Sequence, residues 1–379
     1  MILRPFEILR SARARKELTS LETLILLESD PAALSEIMAV ANVRNESING
    51  REVGYVRARK IHYTNICRAR CRICSFFTTK GGENAFALSP EAIVGQIRRG
   101  PSVTQVTLSG GLNPDLNLKH HLRIVRTLKE KFPTLHVQGY SPTEVLFLAR
   151  RSRLHFRDVL RQLKEAGLDS MSGDSAVILN DKIRKKIASD KLRTNDWIEI
   201  IRASHNLGIP TTATMLFGHI ENEVFLSEHL DILKRLQKET GYFSSLELIP
   251  FIPDNTPLTR ERQLKNKLTS ERILKICAIV RLSVGELFRN IRLDWVKVGL
   301  PMAVRSLHAG INDVGSILYD EAEIRPRGGK SVVTPAALEA AIAKVKKEPV
   351  ERAPLTVNKP RYTFYTSQAP FEPVYIRNF

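Results

Sequence analysis

The chain has 379 residues, a formal net charge of +18 and a composition that is 43% hydrophobic and 26% charged. This composition excludes an intrinsically disordered chain, and the length fits one large domain or two ordinary ones. No apolar run reaches the ~20 residues that a membrane-spanning helix needs, and the arginine-containing start lacks an apolar core followed by a cleavage site. We therefore expect neither a membrane span nor a secretion signal.

The large positive charge has two interpretations. A polyanionic partner, above all nucleic acid, is the more specific one. The other is a basic enzyme whose lysines and arginines are simply solvated. We favour the second, because the basic residues are spread along the chain and few aromatic residues lie between them. We expect no nucleic-acid partner, and an enzyme that modifies RNA is kept as an alternative.

Residues 1–55 are predicted to form a helical N-terminal extension. Asp30 and Pro31 indicate a helix start, since Asp is a favoured N-cap and Pro suits the first helical position. The segment "AALSEIMAVA" then continues with helical spacing, and "NESINGREVG" is rich in turn residues.

From Lys60 onward, strand-like and helix-like segments alternate. The candidate strands are 60–66, 104–109, 134–139, 167–172, 210–216, 243–249, 291–297 and 313–319. Amphipathic helical segments lie between them, and one begins with Ser89 as N-cap and Pro90 at the first position. Eight such units predict an α/β protein with a TIM-type (β/α)8 barrel, which takes ~250 residues. We assign the barrel to residues 56–347; an open doubly wound sheet is the alternative.

Residues 348–379 are predicted to form an extended C-terminal tail. Six aromatic residues fall in the last part of this segment: Tyr362, Phe364, Tyr365, Phe371, Tyr375 and Phe379. This aromatic content argues against plain disorder. We expect the tail to dock on the barrel or on a partner subunit.

The segment "HYTNICRARCRICSFF" holds three of the four cysteines, Cys67, Cys71 and Cys74. A structural zinc site needs four ligands, for which His62 is the available fourth. An iron–sulfur cluster usually takes four cysteines, and one held by three keeps an iron open for an outside ligand. The spacing therefore predicts a metal site that a small molecule completes.

The fourth cysteine, Cys277, lies in the apolar segment "ILKICAIV" and is expected to be a buried small hydrophobe. Four cysteines of which three are clustered do not make a disulfide framework. A reducing cytoplasm is therefore the expected location.

The C-x-x-x-C-x-x-C spacing, on the loop after the first strand of a β/α barrel, resembles that of the radical S-adenosylmethionine (SAM) superfamily. The resemblance implies a [4Fe–4S] cluster held by Cys67, Cys71 and Cys74, with SAM on the open iron. An electron delivered to the cluster would cleave SAM and release a 5′-deoxyadenosyl radical, which removes a hydrogen atom from substrate. In such enzymes the cofactor carries the chemistry, and the protein positions it and excludes water.

Two further segments follow candidate strands and, by the resemblance, contact SAM. Gly110 and Gly111 in "TLSGGLNPD" let the backbone approach a ligand, although a tight turn explains the pair equally well. Ser141 and Glu144 in "GYSPTEV" would lie at the carboxyl-terminal mouth of the barrel, and a helix N-cap with a first-turn acid is the equal alternative. Phe76, shortly after the last of the three cysteines, is also expected to contact SAM.

Later segments resemble one group within the superfamily. They are residues 167–184 and 189–221, "WVKVG" at 295–299 and "AGINDVGS" at 309–316. The group contains the hydroxybenzyl transferase of deazaflavin (FO) synthesis, aminofutalosine synthase and the dehypoxanthine futalosine cyclase of menaquinone synthesis. "TTATMLFGH" and "NIRLDWVKVG" favour the transferase, whereas "CSFF" and "IPDNTPL" resemble aminofutalosine synthase.

Three polar residues are candidates for catalysis or substrate contact. Asp174 stands where the transferase pattern has a small residue, so its carboxylate can change substrate preference. His219 follows the fifth candidate strand, where a hydrogen bond or proton transfer to substrate is expected, with a structural histidine as the alternative. Asn312 precedes the eighth candidate strand, where substrate binding and turn chemistry are equally supported.

By resemblance, the substrates are L-tyrosine and 5-amino-6-(D-ribitylamino)uracil, and the tyrosine side chain would leave as a hydroxybenzyl radical and add to the uracil. A partner enzyme would then close the deazaflavin ring. Arg68, Arg70 and Arg72 bracket the cysteines and are candidates for docking an acidic electron donor, a reduced flavodoxin or ferredoxin. The alternatives are aminofutalosine synthase or the cyclase, an RNA-modifying relative, and a non-catalytic protein with a zinc site.

Overall fold

The computed structural model describes residues 4–13, 17–254, 256–262, 268–318 and 333–352. Three helices precede the first strand: α1 (Pro5–Arg13), α2 (Ser20–Glu28) and α3 (Leu34–Asn49). The predicted helix start is present, because the Asp30 side chain accepts a hydrogen bond from the Ala32 amide and Pro31 stands at the first position. The turn that it starts is a short 3-10 helix, Pro31–Ala33, which leads into α3.

Eight parallel strands close into a barrel. They are β1 (Glu52–Thr64), β2 (Gln105–Gly110), β3 (His136–Gly139), β4 (Ser170–Met171), β5 (Thr211–Phe217), β6 (Phe243–Pro250), β7 (Ile291–Leu293) and β8 (Asp313–Leu318). Each strand pairs with the next one along the chain, and β8 pairs with β1. The predicted TIM-type barrel is therefore confirmed, and the open sheet is wrong.

The remaining helices follow the strands around the barrel. They are α4 (Pro90–Arg99), α5 (Leu118–Lys131), α6 (Pro142–Ser152), α7 (Phe156–Glu165), α8 (Asp181–Ile187), α9 (Thr194–Asn206), α10 (Glu223–Thr240), α11 (Pro257–Arg262), α12 (Ser270–Val284), α13 (Trp295–Val298), α14 (Leu300–Ser306) and α15 (Pro335–Lys344). Ser89 caps α4 through the amide of Ala92, and Pro90 stands at its first position, as the sequence predicts. None of the helices in the described ranges combines the length and apolarity that crossing a membrane requires.

The N-terminal helices share one hydrophobic core with the barrel. Helix α3 packs on α12, and α2 packs on α10 and α12. The Thr23 hydroxyl donates to Ser283 Oγ at 2.9 Å, and Lys234 Nζ donates to the Leu18 carbonyl at 2.6 Å. Buried Ile8, from α1, belongs to the same core. The extension thus covers the outer faces of α10 and α12.

A ninth strand, β9 (Glu348–Glu351), adds to the sheet outside the barrel ring. Gly54 of β1 pairs with Asp313 of β8 and with Val350 of β9, so β8 and β9 lie on opposite edges of β1. Arg59 pairs with β8 on one edge of β1 and with β2 on the other, so β9 lies along the same edge of β1 as β2. β9 occupies the first residues of that edge, before β2 begins. The start of the predicted tail is therefore a strand; its six aromatic residues lie outside the described part of the chain.

Two strand boundaries differ from the prediction by four residues or more. β1 begins at Glu52, eight residues before the candidate segment at 60, and the stretch between them has buried side chains interspersed with partly exposed ones despite its arginines. β7 ends at Leu293 rather than 297, since Asp294 precedes the short helix α13. Both differences matter for the cavity described next, because Val56 and Asp294 line it.

Candidate active site

A cavity of about 350 Å³ occupies the lumen and carboxyl-terminal mouth of the barrel. Every strand contributes to its wall, β4 through Ser172, which directly follows it. Alternate residues of a strand point to one face, which explains why Gln105, Thr107 and Ser109 of β2 all line the lumen. The lumen of a TIM barrel is usually filled by branched apolar side chains. Here it is hollow and largely polar, as expected of a binding site.

All three clustered cysteines line this cavity. Their loop is fixed internally by hydrogen bonds from the Cys67 amide to the Thr78 carbonyl (3.1 Å) and from the Cys74 amide to the Cys71 carbonyl (3.0 Å). Arg70, between them, adopts a left-handed backbone conformation with φ of 44°. The loop is thus a defined turn that brings cysteines three and four residues apart to one wall.

The same loop is also held by three other parts of the barrel. The Arg68 amide donates to the Leu112 carbonyl after β2, and the Arg72 amide donates to the Ile187 carbonyl at the end of α8. The Leu258 amide, in α11, donates to the Arg72 carbonyl. These bonds fix the positions of the thiols before any ligand binds.

The donor set suits an iron–sulfur cluster. Thiolates are the ligands of such clusters, and here the Phe76 amide lies 3.4 Å from Cys74 Sγ, where it donates to the sulfur. Burial raises the pKa of the Cys71 thiol, the nearby Lys191 ammonium lowers it, and a bound metal cation would favour the thiolate. His62 instead packs its ring on Phe76, with centroids 4.5 Å apart.

Among the described residues, no three His, Cys, Asp or Glu side chains converge on a position for a single ion. The alternative of a closed zinc site from His62 and the three cysteines therefore has no support in this geometry. A cluster places each cysteine on a different metal atom, so it does not require the three thiols to converge on one position.

Gly110 and Gly111 bring the end of β2 against the cysteine loop. A Cβ on Gly111 would lie 2.8 Å from Cys67 Cβ and would also collide with the Ile66 carbonyl oxygen. A Cβ on Gly110 would collide with the ring of Tyr63. Close packing of protein on protein thus explains the pair. Both glycines also line the cavity, and their predicted contact with SAM stays a prediction.

Ser141 and Glu144 form the capping box of α6. Glu144 Oε2 accepts from the Ser141 amide (2.7 Å) and hydroxyl (2.6 Å), and Oε1 accepts from the Tyr63 hydroxyl at 2.5 Å. Burial raises the pKa of Glu144, while the hydrogen bonds from Ser141 and Tyr63 lower it. The capping interpretation of the motif is therefore confirmed. Because both residues also line the cavity, their contact with SAM remains a prediction.

Asp174 lies on the cavity wall, on a strained loop after β4. Ser175 and Val177 have φ angles of 71° and 54°, a region that side chains with a Cβ rarely adopt. The buried guanidinium of Arg184 holds this loop by donating to the carbonyls of Ser175, Ala176 and Leu192. Strain of this kind is typical of functional sites.

The structure does not bring His219 or Asn312 to the cavity wall. His219 lies behind Phe251, its Nδ1 accepts from the Ile220 amide at 2.8 Å, and burial lowers the pKa of its imidazole. Asn312 lies at the amino end of β8, and its Oδ1 accepts from Arg281 Nη2 (2.7 Å) and from the Ile291 amide (2.9 Å). This is a structural role at the opposite end of the barrel from the cysteines, which corrects the expected substrate contact of Asn312.

Sequence reasoning missed an ionic group on the facing wall. Glu247 of β6 and Arg292 of β7 form an ion pair at 2.7 Å, and Asp294 lies beside them on the cavity wall. Burial raises the pKa of Glu247, the Arg292 guanidinium lowers it, and Asp294 and Asp174 raise it. The available signal was a charged residue between apolar neighbours in "SLELIP" and "NIRLDW", since strands of a parallel barrel are buried on both faces.

Two family models match the chain. The radical SAM superfamily model matches residues 61–236, and the model of the CofH/MqnC C-terminal region matches residues 240–360. The chain is 37% identical over 295 residues to the 5-amino-6-(D-ribitylamino)uracil–L-tyrosine 4-hydroxyphenyl transferase of Methanopyrus kandleri, covering 77% of this chain and 80% of that protein. It is 35% identical over 345 residues to the protein of the same name from Methanococcus vannielii, covering 89% and 96%.

Solved structures of other enzymes share the fold. Methylornithine synthase (PylB) superposes with a TM-score of 0.69 at 17% identity, over 91% of this chain and 97% of that one. The [FeFe]-hydrogenase maturase HydG superposes with a TM-score of 0.70 at 15% identity, over 91% and 75%. Identities this low establish the common barrel architecture alone.

Proposed function

The chain belongs to the radical SAM superfamily, in the family of the 5-amino-6-(D-ribitylamino)uracil–L-tyrosine 4-hydroxyphenyl transferases, and from this premise we propose that it catalyses the same reaction. It would break the Cα–Cβ bond of L-tyrosine, transfer the hydroxybenzyl group to 5-amino-6-(D-ribitylamino)uracil with formation of a carbon–carbon bond, and release the remaining fragment of the amino acid. The observation that carries the proposal is the set of three thiols on the wall of a polar barrel lumen, in a chain with these relatives. The product would pass to an enzyme that closes the deazaflavin ring.

The cofactors are proposed to be a [4Fe–4S] cluster and SAM. Cys67, Cys71 and Cys74 would hold three irons and leave the fourth for the methionine end of SAM. When bound, this pair would supply a 5′-deoxyadenosyl radical that removes a hydrogen atom from the substrate. Phe76, Gly110, Gly111, Ser141 and Glu144 all line the cavity and are proposed to contact SAM. Thiols that must stay reduced for this purpose favour a cytoplasmic enzyme.

The ionic wall, defined as Asp174, Glu247, Arg292 and Asp294, is proposed to bind the amino acid. A guanidinium donates to a carboxylate in a fixed planar geometry, and carboxylates accept from an ammonium group. Arg292 therefore suits the α-carboxylate, and Asp174 or Asp294 suits the α-ammonium group. These contacts would orient tyrosine in the lumen and replace the water that its charged groups lose.

An acidic electron carrier, a flavodoxin or ferredoxin, is proposed to dock beside the cysteine loop. A surface groove of about 460 Å³ is lined by Arg68, Arg150 and Arg151, with Asp190 as the carboxylate among its lining residues. None of these three arginines pairs with a carboxylate in the part of the chain that the structure describes. Arg72, expected to join them, pairs with Glu261 instead.

Position supports this docking groove as much as charge does. Ala69, Leu112 and Thr143 line both the groove and the central cavity, so one layer of residues separates the two. Partly exposed Leu146 and Phe147 supply an apolar floor inside the basic rim. A basic rim around an apolar centre suits association with an acidic protein.

The test is anaerobic turnover with mass detection. Protein reconstituted with iron and sulfide is reduced and offered SAM, L-tyrosine and 5-amino-6-(D-ribitylamino)uracil. We expect 5′-deoxyadenosine together with a hydroxybenzylated uracil, and neither from Cys71→Ala. Formation of 5′-deoxyadenosine without that product would overturn the substrate assignment. Product from the enol ether of a hydroxybenzoate instead would favour the menaquinone enzymes named above.

A further inference from the structure

A second part of the lumen wall consists of polar, uncharged side chains; Lys60 of β1, which pairs with Thr107 in the sheet and also lines the cavity, lies at its border. We define the neutral wall as Gln105 and Thr107 of β2 with Gln138 of β3, all of which line the cavity. Gln105 is 6% exposed and Gln138 is 8% exposed, so these amides are buried in the barrel. Buried polar groups are costly unless they are hydrogen-bonded, and large apolar side chains would fill this space at lower cost. The wall therefore points to a ligand.

Hydrogen bonds within the wall fix its orientation. Gln105 Nε2 donates to Thr107 Oγ1 at 3.1 Å and to Gln138 Oε1 at 3.2 Å. Thr107 Oγ1 donates to the same Gln138 oxygen at 3.2 Å. Among the described residues, the Nε2 amide of Gln138 has no hydrogen-bond partner. An ordered donor on the wall of a cavity is thus available to an acceptor on a ligand.

The neutral wall faces the Glu247–Arg292 pair of the ionic wall. The neutral wall lies on β2 and β3, and the Glu247–Arg292 pair lies on β6 and β7. Strands four positions apart in a ring of eight stand on opposite sides of the lumen. Thr107 lies three residues before Gly110, ~10 Å deeper in the barrel than the strand end that contacts the cysteine loop. The neutral wall is therefore below the level of the thiols.

We propose that the neutral wall is the subsite for an uncharged polyol, the ribityl chain of the uracil substrate. This inference rests on the proposed function. Each hydroxyl of a polyol both donates and accepts, and the wall offers a free amide donor beside a hydroxyl and amide oxygens. A charged group binds more strongly to the ionic wall than to the neutral wall. The charged groups of tyrosine and the uncharged ribityl chain would therefore bind at different walls of the lumen. The depth of the wall separates it from the ribose of SAM, whose hydroxyls have the same chemistry.

The test compares two uracils and two matched variants. Gln138→Leu removes the amide donor at nearly constant volume. Gln162→Leu, on α7 and outside the cavity, is the control. Anaerobic calorimetry measures binding of 5-amino-6-(D-ribitylamino)uracil and of 5-amino-6-(methylamino)uracil, which lacks the polyol. Because binding rather than turnover is measured, the result does not depend on product formation.

We expect Gln138→Leu to weaken binding of the ribityl compound about tenfold or more, since a hydrogen-bonding site penalises the loss of a partner. Binding of the methylamino compound should change less than about twofold in either variant, and so should binding of SAM. Equal weakening of both uracils would overturn the assignment. Weakened binding of SAM alone would assign the wall to the ribose instead and would also overturn it. Failure of turnover with intact binding would contradict the proposed function and not this inference.

Discussion

The position of Cys67 depends on a residue that has no side chain. Gly111 lies so close to the cysteine loop that a methyl group there would press on Cys67 Cβ and on the Ile66 carbonyl. The contacted atoms are the carbonyl group of Ile66 and Cys67 Cβ, and neither is the flexible end of a side chain. A single residue thus couples the end of β2 to the placement of one thiol.

We predict that Gly111→Ala displaces the cysteine loop and lowers both iron incorporation and the formation of 5′-deoxyadenosine. A displacement of ~1 Å would lower the rate of 5′-deoxyadenosine formation ~100-fold. Iron and sulfide per chain after reconstitution are the measurement. Gly95→Ala is the control, because its Cβ would meet only the flexible end of Arg99 at 3.4 Å. Replacing glycine by alanine inside a helix raises the free energy of unfolding by about 0.5–1 kcal/mol. Wild-type iron content in Gly111→Ala would contradict the packing argument.

Among the elements of the barrel, the loop between β4 and α8 carries the most backbone strain beside the cavity. Ser175 and Val177 hold left-handed conformations, and Arg184 of α8 supplies the hydrogen bonds that keep them there. Burial lowers the pKa of Arg184 to about 10, which still leaves it charged at neutral pH. The guanidinium therefore links the loop after β4 to the segment that follows α8, and the position of Asp174 on the cavity wall depends on it.

Replacing Arg184 should loosen the loop after β4. We predict that Arg184→Met destabilises the protein by about 1–3 kcal/mol, because several buried carbonyls lose their donors. The same variant should bind L-tyrosine more weakly, since Asp174 would no longer be held. Urea denaturation and tyrosine calorimetry are the measurements. Arg161→Met removes an exposed arginine of α7 and should stay within about 0.5 kcal/mol of the wild type. Equal effects of the two variants would contradict the role of Arg184 in holding the loop.

On the scale of the whole molecule, basic residues occur along most of the chain, and the docking groove is distinguished by its position. It combines three arginines without carboxylate partners, among the described residues, with lining residues that it shares with the cavity of the cysteines. Electrostatic steering between opposite charges raises association rates and weakens as salt is added. Net charge alone would attract an acidic protein to any face, but this groove would orient it.

Reversing the charge of two arginines tests whether the docking groove orients the electron carrier. We predict that the double variant Arg150→Glu and Arg151→Glu slows turnover driven by reduced flavodoxin about tenfold at low salt. Turnover driven by dithionite should not change, since dithionite needs no docking surface. The control pair, Arg98→Glu and Arg126→Glu on α4 and α5, carries the same change of charge elsewhere. If both pairs slow the flavodoxin reaction alike, overall charge rather than the groove governs docking.

The sequence by itself determined the features that depend on neighbours along the chain. The three cysteines lie within eight residues, so their spacing alone was enough to predict a metal site. The alternation of strand and helix patterns predicted the barrel, because each unit has its own period and its own caps, such as Ser89 and Pro90 of α4. The capping box at Ser141 and Glu144 is likewise a contact between residues three apart.

Only the tertiary structure decided which polar residues meet in the lumen. Glu247 and Arg292 are 45 residues apart and pair only because β6 and β7 are adjacent and in register. Asn312, equally polar, falls at the amino end of its strand and supports Arg281 instead of a ligand. Which end of a strand a residue occupies, and whether it points into the lumen, depends on barrel closure and strand register. Those are properties of all eight strands together, and no short stretch of sequence contains them.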